Sequence, residues 1–119
     1  MRILLIGDQS IQNDALKAII SSKDDWQVRQ LTHQELQEKK SIDKQFRLLL
    51  IDLTSAPFKP TEYVKAISEK KFSDHLIALH AYLTSLLTEP LLEAGADYCF
   101  SLDDETEDLL FILSQLDGK

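Results

Sequence analysis

The sequence predicts a single α/β domain, a five-stranded parallel sheet with helices on both faces. Three observations predict it. Two short runs, Arg2-Ile3-Leu4-Leu5-Ile6-Gly7 and Arg47-Leu48-Leu49-Leu50-Ile51-Asp52, are continuously apolar in their interiors, as strands covered on both faces must be. Segments of helical spacing alternate with these and with three further strand-like stretches, in the order βαβαβαβαβα. Each of the two runs leads into a loop at an aspartate, Asp8 or Asp52, and in open parallel sheets ligands gather beyond the carboxyl ends of the strands.

Taken in order, the first run is followed by Ile11, Ala15 and Ile19, four residues apart, with Leu16 and Ile20 alongside. These describe one face of a helix starting after Ser10. Trp26 to Leu31 reads as the second strand. Thr32 to Lys40 reads as a short, weakly amphipathic helix anchored by Leu36. After the third strand, the loop Thr54-Ser55-Ala56-Pro57-Phe58-Lys59-Pro60 carries two prolines that hold the preceding backbone extended, and a helix follows over Thr61 to Lys70. His75 to Ala81 is the fourth strand. Leu83, Leu86, Leu87 and Leu91 mark a helix that ends at Gly95 and that Pro90 must kink or split. Asp97 to Ser101 is the last strand. Leu109, Ile112, Leu113 and Leu116 mark the closing helix, with Asp103, Asp104 and Glu105 in its first turn, where the helix dipole favours acids.

Composition bounds the function. At 119 residues and 44% hydrophobic content the chain fills one core, so residues 1–119 form one domain. Thirteen basic against 20 acidic residues give a net charge of −7, which argues against a surface built to neutralise phosphates and hence against direct nucleic-acid binding. The single cysteine, Cys99, cannot close an internal disulfide. No signal peptide or apolar span of membrane length is present, so the cytoplasm is the expected location. The three glycines, at positions 7, 95 and 118, allow neither a G-x-G-x-x-G loop nor a P-loop.

The stretches Ile3-Leu4-Leu5-Ile6-Gly7-Asp8, Leu49-Leu50-Ile51-Asp52 and Glu93-Ala94-Gly95-Ala96-Asp97-Tyr98 resemble, in order and spacing, the receiver domain of two-component response regulators over nearly the whole chain. The resemblance implies a flavodoxin-like, doubly wound fold with strand order 2-1-3-4-5 and five helices. It places Asp52 where the family has its phosphoryl acceptor, Asp8 where it has a carboxylate for Mg²⁺, and the Thr54 carbonyl where the third protein ligand lies. That grouping has a chemical reason, because Mg²⁺ neutralises the charge that opposes a carboxylate attacking an anionic phosphoryl donor. The resemblance further implies an upstream histidine kinase, a place in a phosphorelay, and output through protein contacts or a homodimer on the face of the fourth helix, fifth strand and fifth helix, often to an effector that regulates transcription.

The departures are as informative as the matches. The acid that usually precedes the one matched by Asp8 is here Gly7, so the pocket loses a negative charge and Mg²⁺ binding should be weak. The usual serine or threonine at the end of strand four is His80, which lacks the hydroxyl but carries ring N–H groups. The usual lysine and proline after strand five are Leu102 and Asp103. A lysine supplies a charge-assisted hydrogen bond on the order of 1.5–3 kcal/mol, and leucine supplies none. The strand-five aromatic falls on Cys99, beside Tyr98. These altered positions favour a pseudo-receiver over the alternative, a receiver still phosphorylated on Asp52 with Mg²⁺.

Simpler readings stand beside these. Asp8 could cap the helix that follows it. Asp52 could be a loop-starting residue, although an acid directly after a buried strand needs partners. His75 and His80 are five positions apart and face opposite sides of a regular strand, so they should not chelate one metal. Cys99 reads as an inert core thiol, and Tyr82 and Tyr98 as ordinary amphipathic packing residues, with a partner-facing role as the alternative. A phosphoryl-handling enzyme, a flavin- or nucleotide-binding domain and a structural dimerisation domain are the rivals on this architecture. A non-enzymatic module is the favoured reading, because no phosphate loop can be written and Thr54 stands where a phosphatase of this fold would place a second acid.

Overall fold

The structure, a computed structural model, describes residues 1–23, 25–38, 46–54, 56–81 and 84–117. Its elements are β1 (Arg2–Ile6), α1 (Ile11–Ser21), β2 (Gln27–Leu31), α2 (His33–Glu38), β3 (Phe46–Asp52), α3 (Pro60–Lys70), β4 (Ser73–His80), α4 (Ser85–Ala94), β5 (Tyr98–Ser101) and α5 (Thr106–Asp117). The strands form one five-stranded sheet in the order β2-β1-β3-β4-β5, every pairing parallel. Lys39, Lys40, Tyr82 and Leu83 lie outside the described residues.

Because successive side chains of a strand point to opposite faces, the apolar runs of the central strands feed two cores at once. Leu4, Ile6, Leu49 and Ile51 join Leu36, Val64, Ile67 and Leu91 beneath α2, α3 and α4. Ile3, Leu5, Leu48 and Leu50 join Leu16, Ile20, Leu109 and Leu113 beneath α1 and α5. Burial of each such side chain contributes roughly 1.5–3 kcal/mol. The edge strand β2 alternates exposed and covered residues instead. Its Trp26 neighbour nonetheless packs in the second core and donates its indole N–H to Asp117 at the end of α5, at 3.4 Å.

Four expectations need correction. The core face of α1 is Asn13, Leu16 and Ile20, whereas Ile11 is 91% exposed and Ala15 and Ile19 also face outward. Helix α1 therefore sits turned relative to its most regular apolar stripe, with a buried polar residue in the core-facing row. Of the two outcomes expected at Pro90, a kink or a split, the split does not occur, since α4 is one helix through that residue. Proline withholds the N–H that Leu86 would accept, and Leu86 lies on the outward side at 87% exposure, so its carbonyl can turn to water. Leu86 thus leaves the buried set, while Leu91 stays in it. Helix α5 begins at Thr106, so Glu107 and Asp108 occupy its first turn and Asp103 to Glu105 form the turn before it. Pro60 opens α3 rather than preceding it, a first-turn position that needs no N–H.

Candidate functional site

The site follows from register. Ile6 of β1 pairs with Ile51 of β3, so the next residues, Gly7 and Asp52, stand side by side where both strands end. Asp52 is the last residue of a strand buried along most of its length and is itself only 5% exposed. A carboxylate there must be hydrogen-bonded to be tolerated. The Thr54 N–H donates to its Oδ1 at 2.9 Å, an aspartate turn that also aims the following loop. Its Oδ2 accepts from Nδ2 of Asn13 at 3.1 Å. The Thr54 hydroxyl in turn accepts from the Ala81 N–H at 3.1 Å, tying this loop to the end of β4.

Asn13 reaches the pocket from the first turn of α1. Ser10 caps that helix, accepting from the Asn13 N–H at 3.0 Å. The capping role considered for Asp8 at α1 therefore belongs to Ser10. The Asn13 side chain is 1% exposed, and its Nδ2 also donates to the Asp8 carbonyl at 2.8 Å, while its Oδ1 is buried without a hydrogen-bond partner. Sequence reading missed Asn13. The signal was its spacing of three and seven residues before Leu16 and Ile20, a polar residue in the core row of α1.

The Asp8 carboxylate turns toward α2, where its Oδ1 accepts from the His33 N–H at 3.3 Å. It is the Asp8 main chain, through Asn13, that connects to Asp52. His33, 3% exposed, was also missed. Its Nδ1 forms a 2.8 Å hydrogen bond with the Tyr63 hydroxyl beneath α3. Burial pushes the Tyr63 pKa up to about 12; a hydrogen bond with Gln37 opposes the shift and the charge of Asp8 adds to it.

On the far side of the rim, His80 is half-buried at the end of β4, opposite Ser101. Its carbonyl accepts from the Leu102 N–H at 2.9 Å. The Leu102 side chain packs against the core beneath α1 and α5. Cys99 packs against the other core, half-buried, with its thiol 3.9 Å from the Thr88 carbonyl, and burial pushes its pKa up. His75, at the other end of β4, lies 3.8 Å from the Asp97 carboxylate.

Two carboxylates and a carbonyl are the right class of donor for a small hard cation such as Mg²⁺. As arranged, they do not fit one. An amide N–H meets Asp52 Oδ2, a main-chain N–H meets Oδ1, and Asp8 Oδ1 is engaged with α2. Among the described residues no three His, Cys, Asp or Glu side chains gather closely enough to hold a metal ion. No helix among them is long and apolar enough to cross a membrane.

No family model and no curated protein matches the chain. Solved structures do. The non-phosphorylated HemR receiver domain from Leptospira biflexa superposes with a TM-score of 0.80 at 21% identity, covering 97% of this chain and 92% of that one. A CheY-like response regulator receiver domain protein from Methanospirillum hungatei JF-1 gives 0.78 at 25% identity, covering 98% and 94%. A chain of the complex between the P1 domain of CheA3 and CheY6 from R. sphaeroides gives 0.75 at 17% identity, covering 99% and 97%. The structural neighbours are thus receiver domains of response regulators, and the chain shares their flavodoxin-like fold, a parallel sheet of order 2-1-3-4-5 with five helices.

Proposed function

We propose that this chain is a signal-transduction receiver module of the two-component type whose phosphorylation pocket is degenerate, working as a binding module in the cytoplasm rather than as an enzyme. The observation that carries the reading is Asp52. It is a buried carboxylate at the end of the central strand, held by Thr54 and Asn13, at the sheet edge where ligands of this fold collect. The degeneracy rests on Gly7, His80, Cys99 and Leu102. Leu102 brings an apolar side chain, packed into a core, where an ammonium would otherwise assist the pocket.

Output runs through protein contacts, to a partner or a second copy, on the face of α4, β5 and α5. Leu86 and Leu92 of α4, Tyr98 of β5 and Phe111 of α5 are all exposed large apolar side chains, a supply that such a surface requires. A histidine kinase is the expected upstream partner, one neighbour being solved in a complex of the P1 domain of CheA3 with CheY6, and an attached or separate effector such as a transcription regulator is the expected target. The retained acceptor and its Thr54 hydrogen bond favour, as second reading, a receiver still phosphorylated on Asp52.

An NMR titration with MgCl₂ and beryllium fluoride separates the two. The degenerate pocket gives weak shifts near Asp8 and Asp52 and little change in α5. Tight binding with strong shifts along α5 would restore a conventional switch. Replacing Asp52→Asn separates both from a structural scaffold, which would keep its cellular function.

A further inference from the structure

The strand-end glycine and the buried asparagine are built around each other. A Cβ added at Gly7 would lie 2.8 Å from Asn13 Nδ2 and 2.9 Å from Asp52 Cβ, both closer than real contacts allow. The space beside Asp52 that a side chain at position 7 would enter is therefore filled by an amide from α1. That amide points its nitrogen inward and leaves its oxygen buried and unpartnered. The orientation has a physical cause. Reversing it would set Oδ1 against Asp52 Oδ2 and the Asp8 carbonyl, three acceptors with no donor among them. An orphaned oxygen costs less than that opposition beside a buried carboxylate.

We propose that the Asn13 amide is a built-in counter-group for Asp52, occupying with its N–H the position where a divalent cation would act, so that Asn13 sets the cation affinity of the pocket. The proposal rests on the receiver reading of that pocket and adds a second cause, beside Gly7, for the weak cation binding expected of it. Losing an acid at position 7 removes one ligand, whereas the amide adds a donor that repels a cation. Any ion binding Asp52 Oδ2 competes with a charge-assisted hydrogen bond for the charge of that oxygen.

The test is calorimetric titration of the full chain with MgCl₂ and with MnCl₂. Asn13→Ala should bind either ion about tenfold more tightly than wild type, the affinity equivalent of one hydrogen bond to a charged group. Asn13→Asp, which replaces the donor by a carboxylate, should bind more tightly still, and adding Asp52→Asn should abolish the gain. If Asn13→Ala binds more weakly, the amide is a ligand and the proposal is wrong. If wild type already binds as tightly as the variants, the counter-group is refuted while the pocket reading stands. If no form binds either ion, the amide is not what limits cation affinity and the proposal is wrong, while a pocket too degenerate to hold a cation still agrees with the receiver reading. Should Asn13→Ala not fold, the wild-type chain still decides. Its Asn13 side-chain amide protons should exchange slowly and shift on saturation with Mg²⁺, and fast exchange without a shift would overturn the proposal.

Discussion

The two sides of the pocket rim are made differently. On the β1–β3 side, polar groups from four segments converge. Gln30 donates to the Gly7 carbonyl at 3.1 Å, Asn13 joins the Asp8 carbonyl to Asp52, Thr54 holds the other oxygen of Asp52, and Asp8 holds the first residue of α2. On the β4–β5 side main-chain groups meet one another or the hydroxyls of Thr54 and Ser101, and apolar side chains meet the core. The Leu102 N–H meets the His80 carbonyl, the Ser101 hydroxyl lies 3.4 Å from the Ala81 carbonyl, and the Leu102 side chain goes to the core. A fold can therefore retain a buried acceptor carboxylate on one pair of strands while the neighbouring pair carries different chemistry. The Asp52 carboxylate accepts from Asn13 of α1 and from Thr54 of its own loop, neither of them on the β4–β5 side.

The largest effect expected is in the strand that delivers Asp52. Leu50 is fully buried between β1 and β4, and Leu50→Ala should cost about 2–5 kcal/mol in urea unfolding. If the β1–β3 side is the rigid one, the same substitution should also broaden the Asp52 and Thr54 amide signals. A loss below about 1 kcal/mol would mean that the core closes around the gap and that the strand is not the anchor assumed here.

That strand was legible from sequence because a short apolar run bounded by an aspartate and a proline-containing loop suits a strand covered on both faces, and so were the element order and the placement of Asp8 and Asp52 at strand ends. The turned face of α1 was not. Ile11, Ala15 and Ile19 make the more regular stripe, and only the hydrogen bonds of Asn13 explain why a polar residue takes the inward row. Likewise His33 reads as a surface residue of a weak helix. Its burial depends on the Tyr63 hydroxyl, thirty positions away and brought near only by the fold. Spacing put Asn13 in the core row of α1, but periodicity does not say which distant group a buried polar residue meets, so the acid positions of the site could be read and their pairings could not.

Gly95 offers a second, smaller test, away from the rim. It ends α4 with φ of 127°, and a Cβ there would lie 2.2 Å from the Ser68 hydroxyl oxygen. Gly95→Ala should cost about 1–3 kcal/mol by thermal unfolding while leaving the pocket resonances in place. Pocket shifts would show that the β4–β5 side and the acceptor side are not independent.

Alkaline pH probes the link from Asp8 through His33 to Tyr63. Burial makes the folded chain keep the phenol proton to about pH 12, whereas the unfolded chain releases it near 10. Ionisation thus favours the unfolded state as pH rises through that window. The contribution is complete below pH 10 and lost between 10 and 12, on the order of 1–3 kcal/mol. Comparing urea midpoints of wild type and Tyr63→Phe across pH 9 to 12 isolates it. Parallel curves would show that the phenol is not confined as described.

The smallest effect on stability carries the sharpest test of the comparison between the two sides. Leu102 is half-buried, and a lysine stem can cover the same apolar surface while its ammonium stays in water or turns to the pocket. Leu102→Lys should therefore change stability by no more than about 0.5–1 kcal/mol. In a chain of net charge −7 an added cation brings no penalty from overall repulsion. If the β4–β5 side lacks only its donor, the variant should respond to beryllium fluoride with shifts that extend from Asp52 into β5 and α5, where wild type shows few. If the shifts stay confined to Asp8, Asn13 and Asp52, the missing response lies in the Asn13 amide rather than in position 102. Leu102→Lys combined with Asn13→Ala should then show the extension that neither change produces alone.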